Sequence, residues 1–424
     1  MTLHRRLLEA AIHALGLVLK FEYPADGVLG RYFREHESLG QHDRGFIAES
    51  TFGVLRHKRV LDHLAVQASA RRLMLAWLVR FGGVSVRDIA PMATAEESEW
   101  LSRIKGASLD ALPPPVRAEL PDWIYERLAR ELGESEVLRL GRALQEPAPL
   151  DLRVNLVRSD RDSVIARLRE SGIEAAPTPY SPIGIRVDGK PAVNRHPLFL
   201  EGAVEVQDEG SQLIGYLVAP RRHDLVVDFC AGAGGKSLML GAMMHSQGRV
   251  YAFDVSPGRL ARLKPRLKRS GLSNLHPHLL RSEHDTKVKR LAGKIDRVLV
   301  DAPCSGFGTL RRNPDLKWRQ SPEGIDEMRV KQSAILHAAS TLVKTGGRLV
   351  YATCSLLRDE NEMIVDAFLS EHQDYAPLSC ASLLEQQGIS AESGDRLRLW
   401  PHIHGTDGFF AAAFERKPGK KGGI

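Results

Sequence analysis

Cysteine is scarce: four in 424 residues (Cys230, Cys304, Cys354 and Cys380), with no Cys-x-x-Cys pair and no adjacent histidine pattern. That scarcity excludes a disulfide framework and a structural zinc site, so no metal is expected, and it fits a reducing interior. Long apolar runs are absent too. No stretch approaches the roughly 18 uninterrupted apolar residues of a membrane span. The apolar segment Ala10–Leu19 is broken by His13, preceded by Glu9 and followed by no small-residue cleavage site, so it does not read as a signal peptide. A cytoplasmic protein is expected. Internal repeats are lacking, and a composition of 43% hydrophobic and 26% charged residues excludes collagen-like, mucin-like and wholly disordered chains. No strong charge of one sign is present. The net charge of +7 favours a polyanionic partner without establishing one.

What is present is a chain long enough for two or three domains. Residues 1–115 read as helical: Leu8, Ile12, Leu15 and Leu19 recur at helical spacing, as do Ile47, Val54, Leu55 and Leu61. Arg56, His57, Lys58 and Arg59 beside the second apolar face are either a solvated helix side or a phosphate-contacting surface. Pro113-Pro114-Pro115 and Pro121 interrupt this pattern. Residues 116–204 then read as a small α+β module: a helical stretch from Trp123 to Leu144, alternation at Leu152, Val154 and Leu156, a helix over Ser163–Ser171, and a strand at Gly184–Val187 before a turn at Asp188-Gly189.

Residues 205–416 change texture. Short β-branched runs (Leu225–Asp228, Val250–Asp254, Val298–Asp301, Arg348–Thr353) alternate with helical segments, which predicts βαβ units and a doubly wound, Rossmann-like α/β domain. Residues 417–424, rich in Lys and Gly, read as a basic flexible tail.

The first of those strands ends in Asp228-Phe-Cys230-Ala231-Gly232-Ala233-Gly234-Gly235-Lys236, and a helix follows. Glycines allow a sharp turn and close approach to a ligand, and the helix start supplies free N–H groups. A P-loop would need glycine at position 230, which is Cys230. The G-x-G-x-x-G fingerprint fails at Ser237. The next strand ends in Asp254, about 20 residues on, where a carboxylate accepts from ribose hydroxyls. An acid for ribose with a broken phosphate loop points to a nucleoside cofactor without pyrophosphate, of which S-adenosylmethionine is the obvious example. The alternative for Asp254 is capping the helix that starts near Pro257.

Two further strands end in cysteine-bearing loops, Asp301-Ala-Pro-Cys304-Ser and Tyr351-Ala-Thr-Cys354-Ser. Ligands of open α/β sheets bind at the carboxyl ends of strands, so both thiols are expected in the cofactor crevice, whereas Cys380 reads as a small buried hydrophobe. Phe229–Lys236, Asp301–Cys304 with Arg311–Trp318, and Thr353-Cys354-Ser355 resemble the motifs of the RNA cytosine-C5 methyltransferases, the small-subunit rRNA methyltransferase B (Sun/Fmu) group. Gln207–Ser211 and Asp407–Phe410 resemble its other signatures, and Leu39–Glu49 with Gly53–His57 resembles a NusB-type helical RNA-binding domain. Ala233 stands where that family often has proline.

The resemblance implies a class I methyltransferase domain and catalysis through a covalent adduct. Carbon 5 of cytosine is too weak a nucleophile until a thiolate adds at carbon 6. On that pattern Cys354 is the nucleophile, Cys304 the second cysteine that helps product release, and Asp301 the group near N3, supported by Lys236. The residues alone do not say which thiol attacks. Cofactor contacts fall on Cys230, Ala231, Gly232, Ala233, Gly234, Gly235, Lys236, Asp254, Arg259, Asp285 and Asp301, with Glu283 the alternative to Asp285. Arg259, Arg262, Lys264, Arg266, Lys268, Arg269, Arg281, Lys287, Lys289 and Arg290, joined by Arg311, Arg312 and Lys317, read together as a phosphate track for RNA, and Trp318 as a stacking or a core residue. The expected substrate is RNA, rRNA ahead of tRNA, for a monomeric enzyme. The rivals are a non-catalytic RNA-binding assembly factor, which two retained cysteines disfavour, and a P-loop nucleotidase, which Cys230 disfavours.

Overall fold

The computed structural model describes residues 3–65, 67–189, 191–391 and 393–418. The chain forms two compact units, the first of residues 1–147 with 309–322 and the second of 148–308 with 323–424. Among the described residues, no helix is long and apolar enough to cross a membrane.

The first unit is helical. Arg5–Val18, Ala25–Glu35, Gln41–Arg56, Lys58–Ala65, Ala70–Arg80 and Ala95–Lys105 bury Leu8, Leu15, Ile47, Leu55 and Leu61 in one core. The stretch read as one apolar face across Ile47–Leu61 is two helices that break at His57. Pro114 opens a short helical turn, Pro114–Arg117, because a proline at the first helical position gives up no needed N–H. Asp122–Leu132 and Glu134–Gln145 follow, parted by Gly133 at φ +80°.

The residues read as a basic surface here are largely interior. His57 stacks on Phe81 at 4.0 Å, Arg56 donates to the Arg311 carbonyl at 2.8 Å, and Arg59 pairs with Asp122. Arg311 and Lys317 are buried, and the Lys317 ammonium donates to the carbonyls of Arg56 (2.9 Å) and Glu119 (2.7 Å). Burial pushes that ammonium down to about 8. Trp318 donates to the Leu55 carbonyl at 3.0 Å and packs on the helical core. Arg311 and Lys317 therefore leave the expected phosphate track, and Trp318 is a core residue. Lys317 and Trp318 spend their donors on buried carbonyls, those of Leu55 and Arg56 at the end of Gln41–Arg56 among them.

The second unit begins with a four-stranded antiparallel sheet: β1 (Leu150–Val154), β2 (Ala175–Pro177), β3 (Gly184–Val187) and β4 (Val204–Val206), in the order β2-β3-β1-β4. The helix Arg161–Glu170, capped by Asp160, packs Val164 and Leu168 on it. Then comes the large sheet. Its strands are β5 (Leu225–Asp228), β6 (Arg249–Asp254), β7 (Leu275–Leu279), β8 (Ile295–Asp301), β9 (Val343–Thr353), β10 (Tyr375–Leu378), β11 (Leu397–Leu399) and β12 (Phe409–Arg416). The order is β10-β12-β9-β8-β5-β6-β7, with β11 on β12.

β5 to β9 are parallel, as the continuous apolar runs predict for strands buried on both faces. β12 and β10 add antiparallel strands at one edge, so the sheet is mixed rather than wholly parallel. β7 reads Leu-His-Pro-His-Leu and has no strand signature, but proline is tolerated at the edge it occupies. β12 carries the chain to Arg416, and the expected tail lies outside the described residues from position 419.

Candidate active site

Because the strands β5, β6, β8 and β9 run parallel, their carboxyl ends open on one edge. Asp228, Asp254, Asp301 and Thr353 end them in turn. Asp301 pairs in register with Ala352, so the loops that follow β8 and β9 start side by side. The result is a Cys304 Sγ to Cys354 Sγ distance of 3.4 Å. Both thiols are partly exposed, and Cys380 is fully buried as a hydrophobe.

Lys236, in the first turn of the helix Gly235–Met243, reaches across to Asp301 with Nζ–Oδ2 at 2.8 Å, and its ammonium lies 5.4 Å from the centre of the Phe409 ring. Burial disfavours the charged ammonium, but Asp301, Cys354 and Asp228 outweigh it and hold the pKa above the ordinary lysine value. The hydrogen bond with Cys354, then burial, push the Cys304 thiol well up. Burial raises Cys230 in the same way.

The glycine loop is held from both ends. Gly232 N donates to Asp254 Oδ2 at 2.8 Å, while Asp254 Oδ1 accepts from Ser256 N at 2.7 Å. Ser256, not Asp254, caps the helix Pro257–Ser270. The buried Arg153 on β1 donates to the Gly235 carbonyl at 2.6 Å and to Gln207, and Arg266 donates to the Ala233 carbonyl at 2.8 Å while pairing with Glu205. A Cβ at Gly234 (φ +82°) would sit 2.1 Å from Leu263 Cδ1, whereas one at Gly232 (φ +58°) would meet nothing within 4 Å. That open space, beside the Asp254 carboxylate and next to the helix start, fits a nucleoside ligand.

Asp285 lies beyond β7 at the same edge, where it accepts from Lys287 N (2.9 Å) and Arg281 N (3.0 Å) as the cap of the turn Thr286–Arg290. These bonds lower its pKa. Glu283 faces His284 at 3.6 Å. Arg259 is exposed in the first turn of Pro257–Ser270. On that helix Arg262, Lys264 and Lys268 are exposed as well, but Arg266 and Arg269 are committed to Glu205.

Sequence reasoning missed what lies beneath the thiols. The buried Glu360 accepts from Ser305 N (2.8 Å), Ser305 Oγ (2.5 Å), Gln332 Nε2 (3.1 Å) and Ser355 Oγ, the two serines following the two cysteines. Asn361 donates to the Ser355 carbonyl at 3.0 Å. The terminal signature is explained too: Gly308 N donates to the Cys354 carbonyl and Gly408 N to the Gly308 carbonyl, each at 2.8 Å. A side chain at Gly308 would collide with the Gly408 carbonyl at 2.0 Å. The only hint in the sequence was serine after each cysteine.

A family model described as 16S rRNA methyltransferase RsmB/F matches residues 215–415, and one for an RsmF/B-like ferredoxin-like domain matches 120–194. The probable ribosomal RNA small subunit methyltransferase B of Synechocystis sp. is 32% identical, over 92% of this chain and 95% of its own. The protein of that same name from Bacillus subtilis is 34% identical over 64% of this chain, and the match spans 60% of its length. A crystal structure of a protein named PH0851 superposes with a TM-score of 0.80, at 25% identity, covering 98% of this chain and all of that one.

Proposed function

Since the chain belongs to the RsmB/F family of 16S rRNA methyltransferases, we propose that it methylates carbon 5 of a cytosine in 16S rRNA through a transient bond between Cys354 and the base. The single observation carrying this reading is the pair of thiols 3.4 Å apart at the carboxyl edge of the parallel strands. One flipped base reaches both, and a target must leave its stack to do so.

S-adenosylmethionine, the cofactor, supplies an electrophilic methyl group when bound. Cys230, Ala231, Gly232, Ala233, Gly234, Gly235 and Lys236 form the cradle for it, with Asp254 for the ribose hydroxyls and Arg259, Asp285 and Asp301 around its edge. The chain's residues handle the base. Cys354 attacks as the thiolate, with the Cys304 thiol, pushed well up and so held protonated, 3.4 Å away. The sulfur adds at carbon 6, and the charge that moves to N3 develops beside Asp301, which the Lys236 ammonium holds in place and whose own charge that ammonium answers. Carbon 5, now enamine-like, takes the methyl group. A base then takes the carbon 5 proton, the electron pair left behind restores the 5,6 double bond, and the Cys354 sulfur leaves as thiolate, with Cys304 beside it assisting release.

Exposed Arg259, Arg262, Lys264, Lys268, Arg281, Lys287, Lys289 and Arg290 supply the backbone contacts. Residues 1–115 act as a NusB-like RNA-binding domain and 116–204 as a second RNA-binding module before the catalytic domain of 205–416. The enzyme is a cytoplasmic monomer, and methyl transfer by this route calls on thiols and the cofactor rather than on a metal.

Cysteine replacement tests the assignment. Cys354→Ala abolishes methylation of 16S rRNA while binding S-adenosylhomocysteine normally. Cys304→Ala accumulates a denaturation-resistant protein–RNA band. Methylation by Cys354→Ala overturns the nucleophile, and a band trapped by that variant instead reverses the roles.

A further inference from the structure

At the end of the large sheet opposite the thiols, where β5, β8 and β9 begin, lies a cavity of about 400 Å³. Three arginines line it: Arg221 in the loop before β5, Arg297 early in β8 and Arg348 at the middle of β9, in register with Arg297. Tyr216 and Leu383 form part of an apolar wall, and Gln387 adds an amide. The size suits a ligand of mononucleotide dimensions, since small-molecule sites run from roughly 300 to 1,000 Å³.

The charge is incompletely answered. Asp224 stands 3.8 Å from Arg297, and its nearer bond is to the Arg221 backbone N–H at 2.9 Å. Asp296 is taken by Lys344 and by the Leu225 N–H. Glu415 is the remaining acid that acts on Arg297 and Arg348. Arg348 donates to the Leu217 carbonyl at 2.9 Å, and Arg297 to the Asp296 carbonyl at 3.1 Å, neutral acceptors that orient the guanidinium groups without neutralising them. Burial, and then their mutual repulsion, hold Arg348 down at about 10. Two half-buried guanidinium groups, Arg297 and Arg348, with the exposed Arg221 at the rim of the same cavity, form a site for a planar, multidentate anion.

We infer that this cavity binds the phosphate of a nucleotide, with Arg221, Arg297 and Arg348 on the phosphate and the Tyr216–Leu383 wall against the nucleoside, as a site separate from the methyl-transfer edge. The phosphate comes either from a free mononucleotide or from a nucleotide of an RNA strand. The chemistry is shared.

The test uses the full chain saturated with S-adenosylhomocysteine, so that the cofactor cradle is filled. Calorimetry measures adenosine 5′-monophosphate, adenosine and inorganic phosphate, and a fluorescent single-stranded octaribonucleotide is titrated in parallel. Arg221→Gln, at an exposed rim position, and Arg348→Gln each weaken the phosphate-bearing probe by about tenfold or more, the loss expected of a charge-assisted contact, while adenosine shows no binding. Loss confined to the mononucleotide assigns a free ligand, and loss confined to the octanucleotide assigns an RNA strand. No effect of Arg221→Gln on either probe, with Arg348→Gln equally silent, overturns the inference. Equal affinity for adenosine and its monophosphate does the same.

Discussion

Replacing Glu360 should separate hydrogen-bond geometry from charge beneath the thiols. In Glu360→Ala the two hydroxyls can turn to each other, since Ser305 Oγ and Ser355 Oγ are already 3.2 Å apart, and Gln332 keeps the Pro303 carbonyl at 2.9 Å. The Ser305 backbone N–H cannot turn. An orphaned buried donor costs about 1–3 kcal/mol, and loss of the buried side chain adds about 1–2 more, so the variant should lose about 2–5 kcal/mol in urea unfolding. In Glu360→Gln the amide oxygen still accepts from Ser305 N and Gln332, and its NH2 faces hydroxyls able to rotate as acceptors. Relief from burying a carboxylate offsets the weaker bonds, and stability should stay within about 1 kcal/mol of the parent. Methyl transfer should follow the same order. The loops that place Cys304 and Cys354 slacken in the alanine variant, and an error of about 1 Å in such a site costs on the order of a hundredfold in rate. If Glu360→Gln costs as much as Glu360→Ala, the negative charge rather than the bonding pattern holds the loops. If neither costs more than about 1 kcal/mol, the network is not structural.

The glycine loop gives a paired expectation. Gly234→Ala combines a positive φ with a Cβ 2.1 Å from Leu263, so its melting temperature should fall, whereas Gly232→Ala retains more stability and chiefly loses S-adenosylhomocysteine affinity by calorimetry. Equal affinity in Gly232→Ala and the parent would show that the ligand does not approach there. The buried Asp228 is raised to about 7 by desolvation, against the donated hydrogen bond of Ser237. Its folded pKa exceeds the unfolded value near 3.9, so the folded state holds the extra proton and stability falls as pH rises from about 4 to 7. Asp228→Asn should remove that loss, becoming more stable relative to the parent at pH 8 than at pH 4 in urea midpoints. A pH-independent difference refutes the shift.

Much of the site was legible because its chemistry is local. The glycine loop, Asp254 and the two cysteines each follow or end a β-branched run that could be read as a strand, and one rule about strand ends places them together. β7 escaped because histidine and proline fill it, and β10 and β11 because they are short strands with no long apolar run, whereas β12 escaped although Phe409–Phe414 is buried throughout, since three of those six residues are alanine, which favours strands little.

Taken alone, the amino-acid order determined the parallel α/β frame and the candidates for the reacting groups, since these rest on periodicity and on short motifs. Only the tertiary structure decided which charges are available. Lys317 and Arg311 look like surface cations but are spent inside the helical unit, Arg266 and Arg269 are held by Glu205, and Glu360 lies under two loops whose serines are 50 residues apart. Burial and long-range pairing are properties of the packed chain, and a list of residue types carries no record of what each one faces.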